Sequence, residues 1–538
     1  MKVNGKLIDI HNREIYPAVI SIADNKIESI ERVLVADDSY ILPGLIDAHI
    51  HIESSMLTPG SFALAAVSRG TTGVVSDPHE IANVLGTEGV KYMIEDAAKV
   101  PLKFWFGAPS CVPATSFESS GAVIGPDDID MLLQMPEIMY LSEMMNFPGV
   151  INGDADVRRK IESAVKSGKP VDGHAPGLTG ALLKKYIDSG ISTDHECSSA
   201  EEAREKILRG MKILIREGSA ARNLNALKDL FRTDPEKVML CSDDLHPEML
   251  MKRHLDIIIA ELIAEDYNLF DVIRSCTLNP AVHYGLNAGL LRAGDPADFI
   301  RVGDFRRMDV IETWINGNIV FDRGRALFDY NGALHINHFN ATPVNAESIK
   351  VKRDGTEMRV ILAFDSELFT REIIYEAAHG DIVSSDTAAD VLKIVVKDRY
   401  RDLPPATAFI RGFGLKQGAF ASSVAHDSHN IICIGVSDHD IVLAINEIVK
   451  INGGLAVVKG GKTESLPLPV AGIMSDEPVS SVAARYEALS SIVKAMGCGL
   501  SAPFMTLSFM ALLVIPELKI SDKGLFDVNK FGLVPLFI

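Results

Sequence analysis

The sequence predicts an α/β chain organised around a (β/α)8 TIM barrel, with a small composite β-domain and a C-terminal α/β domain. Three observations predict it. Short apolar runs alternate with longer amphipathic stretches from about residue 44 to 285. His, Asp and Glu gather at the C-terminal ends of those runs, the rim where barrel enzymes place their chemistry. The segments flanking this region on both sides read as short strands with turns.

Eight runs are candidate barrel strands: Leu45–Ile50, Thr72–Ser76, Leu102–Phe106, Ile138–Ser142, Pro170–Gly173, Ile191–Thr193, Met211–Ile215 and Val238–Cys241. Segments of helical period separate most of them, such as Ala155–Ser167, Ala200–Arg209 and Ala220–Leu230. A doubly wound open sheet is the alternative, and the clustering of polar residues at one end of the runs favours the barrel over 44–285. Residues 1–43 contain Ala18–Ile22 and Lys26–Ile30, and residues 286–336 contain Phe299–Val302, Val310–Ile315 and Ile319–Phe321. One β-domain built from both flanks is the simplest account. The stretch Asn337–Ala346 reads as a linker. Beyond it, 347–538 is an α/β domain with strands at Arg359–Ala363, Val391–Val396, Ile431–Gly435 and Leu455–Val458.

Length and composition narrow the function. At 538 residues the chain is too long for a single core. A formal net charge of -19 repels phosphate backbones and argues against nucleic acid as a partner. The six cysteines are scattered without a Cys-x-x-Cys pair, which fits reduced thiols in a cytoplasmic protein. The first residues lack an apolar signal core, and the longest apolar run, Phe504 to Pro516, is too short to span a bilayer. No membrane association is expected.

The chemistry sits at the run ends. The first run closes as Leu42-Pro43-Gly44-Leu45-Ile46-Asp47-Ala48-His49-Ile50-His51. Alternate side chains of a strand face the same way, so His49 and His51 present two imidazoles to one point. Later ends deliver Asp77-Pro78-His79-Glu80, then Glu143, His174, His195 and Asp243-Asp244. Singly, each has a plain structural explanation as a loop histidine, a solvated carboxylate or a helix cap. Jointly, they indicate metal. The zinc site of Pro-Cys-x-x-Cys deaminases is closed, because the chain has no such motif, and His79-Glu80 is followed by Asn83 where a thermolysin-type second histidine would fall.

This pattern resembles the amidohydrolase superfamily. The longer stretches His49-Ile50-His51-Ile52-Glu53-Ser54-Ser55-Met56, Asp77-Pro78-His79-Glu80-Ile81, Ile215-Arg216-Glu217-Gly218-Ser219, Asp172-Gly173-His174-Ala175-Pro176-Gly177 and Ala425-His426-Asp427-Ser428-His429-Asn430 are similar to bacterial and archaeal adenine deaminases. The resemblance implies hydrolytic deamination of free adenine to hypoxanthine and ammonia, in purine salvage or catabolism, by a water that two divalent ions activate. It implies metal ligands at His49, His51, His174, His195 and Asp243, with Glu143 bridging where other members use a carbamylated lysine; the run Ile138 to Asn146 has no lysine. Mn²⁺ or Fe²⁺ is favoured and Zn²⁺ is compatible with the same donors. Glu143 is expected to shuttle protons, with Asp243 and Asp77 as further catalytic groups, although Asp77 also suits a helix cap. Arg216, Glu217, Ser219, His426 and His429 are candidate substrate contacts. Ser219 equally suits a helix cap, and the Gly412–Asn430 segment equally suits a turn between strands. Asn146 stands where the family pattern leads one to expect Asp. The expected partners are adenine and water, with a homodimer as the expected assembly. Two other classes stay open: an amidohydrolase acting on a related ring, cyclic amide or N-acetyl sugar, and a non-enzymatic scaffold, which would be expected to lose ligands that this chain keeps.

Overall fold

The rim that carries the polar residues is built by parallel strands. The computed structural model describes residues 1–219, 221–377 and 380–538. Strands occur at Leu45–Ile50, Thr71–Ser76, Lys103–Ala108, Ile138–Met144 and Val171–Gly173, paired parallel in chain order. Thr193–Asp194, Lys212–Arg216 and Val238–Cys241 pair parallel in the same sense. Single parallel bridges join the two sets at both seams, Val171 with Ile191 and Ile50 with Asp243. The result is a curled parallel sheet whose strands all end on one rim. Their near-continuous burial, complete along Leu45–Ile50 and Thr71–Ser76, is what parallel strands covered on both faces require.

The expected helix over Ala220–Leu230 is not one helix. Ala220 lies outside the described residues, and the remainder forms two short helices, Leu224–Leu227 and Leu230–Thr233. Asn223 is the physical reason. Its amide accepts from Arg216 N at 2.9 Å and donates to the carbonyls of His195 and Cys197 at 3.0 and 3.1 Å, which draws the segment into the rim.

Both flanks contribute to a single eight-stranded sheet. Strands Lys2–Asp9, Glu14–Ala23, Lys26–Arg32 and Tyr40–Pro43 join Phe299–Val302, Val310–Ile315, Asn318–Asp322 and Arg325–Ala326 through the antiparallel pair of Phe299 with Pro43. Leu7, Ile20 and the stacked pair Phe299 and Trp314, 5.0 Å apart, pack between its strands. The stretch Asn337–Ala346 is extended but pinned: Asn340 N donates to Arg399 O at 2.7 Å, and Val344 N to Asn446 Oδ1 at 2.8 Å.

A second eight-stranded sheet occupies the C-terminal part, running from Thr370–Glu376 at one edge to Lys462–Pro467 at the other. Helix Asp438–Lys450 covers it with Ile441, Ala444, Ile445 and Ile448, the three- and four-residue spacing of one helical face. Ser437 caps that helix by accepting from Asp440 N at 3.1 Å. The Gly412–Asn430 segment is more than a turn, since Ala419–Ser422 is a central strand of this sheet. Backbone bonds of Thr58 N to Ser475 O (3.1 Å) and Ser475 N to Met56 O (2.8 Å) seat the C-terminal part against the rim. Among the described residues, no helix is long and apolar enough to cross a membrane.

Candidate metal centre

Backbone pairing at the closing seam brings the first and last parallel strands together. Asp243 N donates to His49 O at 3.0 Å, and His51 N donates to Asp243 O at 3.3 Å. Asp243 holds a positive φ of 56°, which Asp tolerates, so its carboxylate turns back over the strand ends. Oδ1 then lies 3.2 Å from His51 Nε2 and 3.7 Å from His49 Nε2. The two Nε2 atoms face each other at 3.2 Å. His51 Nδ1 sits 3.1 Å from Asp77 O, a partner that can only accept, so Nδ1 carries the proton and Nε2 keeps its lone pair for a ligand.

Glu143, on Ile138–Met144, reaches both halves of the site. Its Oε1 lies 3.3 Å from His51 Nε2 and 3.4 Å from His79 Nδ1. Its Oε2 lies 2.7 Å from His174 Nδ1 and 3.2 Å from His195 Nε2. The structure thus brings together every residue named for metal from the sequence. Donor atoms of His49, His195 and Asp243 cluster within 4.8 Å of one another, as do those of Glu143, His174 and His195, and those of His51, Asp77, His79 and Glu143. The convergence of four buried imidazoles with the carboxylates of Glu143 and Asp243 is a donor set that fits divalent ions.

The electrostatics follow from packing charges out of water. Burial opposes ionisation of Glu143, but hydrogen bonds to His174 and His195 hold its carboxyl well below the ordinary carboxylate range. Burial likewise opposes Asp243, and the Arg216 guanidinium beside it outweighs that cost. Burial pushes His49 down to about 4, so it is neutral at pH 7 as a ligand must be.

The remaining candidates separate. Asp77 accepts from His79 N at 3.1 Å through Oδ1 and contacts His79 Nδ1 at 3.1 Å through Oδ2, so it supports the start of helix His79–Leu85 as well as facing the site. Arg216 lines the cavity, but its guanidinium is engaged by Glu196 and by Asp243 Oδ2, the latter at 2.6 Å. Glu217 points elsewhere, accepting from Arg253 Nη2 at 3.2 Å and Leu224 N at 3.3 Å. Ser219 Oγ accepts from His246 N at 2.8 Å and braces the loop after the eighth strand. Neither Glu217 nor Ser219 lines the cavity over the metal donors. Asn146 caps helix Phe147–Asn152 by accepting from Gly149 N at 2.9 Å.

His426 and His429 arrive from the C-terminal sheet onto a barrel residue. His426 Nδ1 contacts Glu80 Oε1, and His429 Nε2 lies 2.6 Å from Glu80 Oε2 without the alignment of a hydrogen bond. His426 and Asp427 line the cavity with Glu80, Asp244, Glu196 and the metal donors. Glu80, Asp244, Glu196 and Asp427 are site residues that the sequence reasoning did not select. The signal was present for all four: Asp244, Glu196 and Asp427 adjoin selected residues, and Glu80 stands in the same strand-end motif as Asp77.

Comparison with known proteins agrees with this geometry. The amidohydrolase family model matches residues 40–320, and the adenine deaminase C-terminal domain model matches residues 367–532. An adenine deaminase of Sulfurovum sp. is 53% identical over 535 residues, covering 99% of each chain. Adenine deaminases of Salinibacter ruber and Methanosarcina mazei are 49% and 50% identical, covering 100% of this chain and 99% of theirs.

Proposed function

This chain belongs to the amidohydrolase family and to its adenine deaminases, and on that premise we propose that it converts free adenine and water to hypoxanthine and ammonia. The observation that carries the reading is full-length likeness, near half identity over all of the chain, to proteins named for that activity. The centre supports it: imidazoles and carboxylates converge on one rim, with Glu143 touching both halves. We read the curled parallel sheet as a (β/α)8 barrel over about 44–285, flanked by the composite β-domain and followed by the C-terminal domain.

His49, His51, His174, His195 and Asp243 would hold two divalent ions, Mn²⁺ or Fe²⁺ in our reading, with Glu143 shared between them. Such ions acidify water enough to make it a nucleophile near neutral pH. Glu143 is placed to take the proton that water loses and give it to ring N1 as the ring accepts the oxygen. Asp243 takes the second proton and returns it to the departing amine, while Arg216 keeps Asp243 ionised between turnovers. Atoms balance: water's oxygen replaces the exocyclic nitrogen, which leaves as ammonia.

The test is ammonia release from a panel of adenine, adenosine, guanine and cytosine after manganese or iron loading. Adenine is expected to be turned over far faster than the rest. No ammonia from adenine, or equal turnover of adenosine, overturns the reading.

A further inference from the structure

The catalytic cavity has two unlike halves. Its floor is ionic, made of His51, Glu143, His195 and Asp243, and its roof is apolar, made of Leu368, Phe509, Leu512 and Ile515. Every roof residue comes from the part of the chain that matches the C-terminal family model. The segments that bear them are tied together: Thr370 N donates to Pro516 O at 3.0 Å, and Glu517 N to Thr370 O at 3.1 Å. The buried Lys519 ammonium donates to Leu368 O at 2.7 Å and Phe509 O at 3.0 Å, fixing both roof segments at once. Phe509 in turn stacks on His426, with ring centroids 4.6 Å apart.

The space directly over the donors is narrow, about 30 Å³. A larger cavity of about 270 Å³ adjoins it, and the two share Glu196, Arg216, Leu368 and Ile515. Leu368 and Ile515 therefore form the apolar side of a neck between an outer vestibule and the reacting centre.

We propose that the C-terminal domain is the base-binding roof of this site, with Leu368, Leu512 and Ile515 gripping a bare planar heteroaromatic base and rejecting one that carries a sugar. The proposal rests on the deaminase reading and adds to it where selectivity resides. A ligand with a polar edge and two apolar faces satisfies both halves of the cavity. A sugar would lay hydroxyls against leucine and isoleucine with no partner, which is costly. The roof also explains why the barrel alone is not the whole enzyme.

The experiment compares Leu368→Ala and Ile515→Ala with the parent chain on adenine and adenosine, with metal content and thermal midpoint measured alongside. Each variant is expected to raise KM for adenine about tenfold, more than it lowers kcat, with metal retained. Discrimination against adenosine should shrink by a similar factor. Leu368→Met, which conserves volume, should restore most of the adenine KM. Folded, metal-replete alanine variants with unchanged KM and unchanged discrimination overturn the proposal. Should the parent release no ammonia from any base, the deaminase reading fails on its own. Calorimetric binding of adenine then tests the roof, and equal affinity in parent and variants overturns it.

Discussion

Arg216 donates from Nη1 to Asp243 Oδ2 at 2.6 Å, leaving Oδ1 of the same carboxylate to face His51 Nε2 at 3.2 Å. One oxygen is neutralised within the protein and the other is offered to the site. The same guanidinium donates from Nη2 to Glu196 Oε2 at 2.9 Å, so a single cation organises two buried acids on neighbouring strand ends.

Removing that cation should therefore act through Asp243. Arg216→Gln is expected to lower kcat/KM by about 100-fold or more, in the range of a lost preorganised charge contact. Reduced metal content, read by plasma mass spectrometry, should accompany the loss. Full metal occupancy with normal kinetics would rule this role out.

Glu143→Gln keeps the shape of the side chain but removes its charge and its ability to accept a proton. A fall of about 10²–10⁴-fold in ammonia release is expected from the acid–base role alone. Two bound metals and near-normal turnover in this variant would refute the assignment.

His426 and His429 shield a barrel carboxylate that is wholly buried, Glu80. Replacing both with Ala leaves that charge only His79 Nε2, 3.6 Å away, as an ionic partner, at a cost of about 3 kcal/mol. The denaturation midpoint should drop and kcat/KM should fall with it. Adding Glu80→Gln should recover stability without recovering kcat/KM, because His426 also lines the cavity and backs Phe509. Recovery of both would reduce the pair to a structural role.

Lys519 gives a pH-dependent test. Burial pushes its ammonium down to about 7. Unfolded, lysine titrates at about 10.4, so between those values the unfolded chain binds a proton that the folded chain has released. Stability from this group therefore rises with pH across that window, by about 1.4 kcal/mol per unit at most, and is lowest below it. Lys519→Met should lack this rise: its stability relative to the parent is greatest near neutrality and declines toward alkaline pH. A parallel pair of stability-against-pH curves would show the prediction wrong.

Chelation supplies a further check on the centre. Ions that bind only the folded chain stabilise it by mass action, about 2.7 kcal/mol at a free concentration 100 times Kd. Metal-free protein should melt earlier than the loaded form, and Mn²⁺ should restore the midpoint. His51→Ala should blunt that restoration.

The candidate metal donors were legible in the sequence because the parallel strands carry them to a common rim. Period-two geometry puts His49 and His51 on one side of one strand, and the ends of the second, fourth, fifth, sixth and eighth runs add residues to the same edge. That logic needs no long-range contact, only the knowledge that parallel strands end together. It failed where a side chain's partner comes from elsewhere in the chain. Arg216, Glu217 and Ser219 are nearly consecutive and read alike as candidate substrate contacts, yet only Arg216 faces the cavity.

What the sequence determined by itself was the kind of chain and the substrate class, with a candidate ligand set, all carried by local pattern and by resemblance. The tertiary structure decided how the site is closed. Glu80 meets His426 across 346 positions of sequence, and Lys519 ties Leu368 to Phe509 from another sheet. Leucine, isoleucine and phenylalanine in a C-terminal run look like core, because burial in a core and burial over a ligand use the same residues. Only the fold, by laying that run across the rim, distinguishes the two.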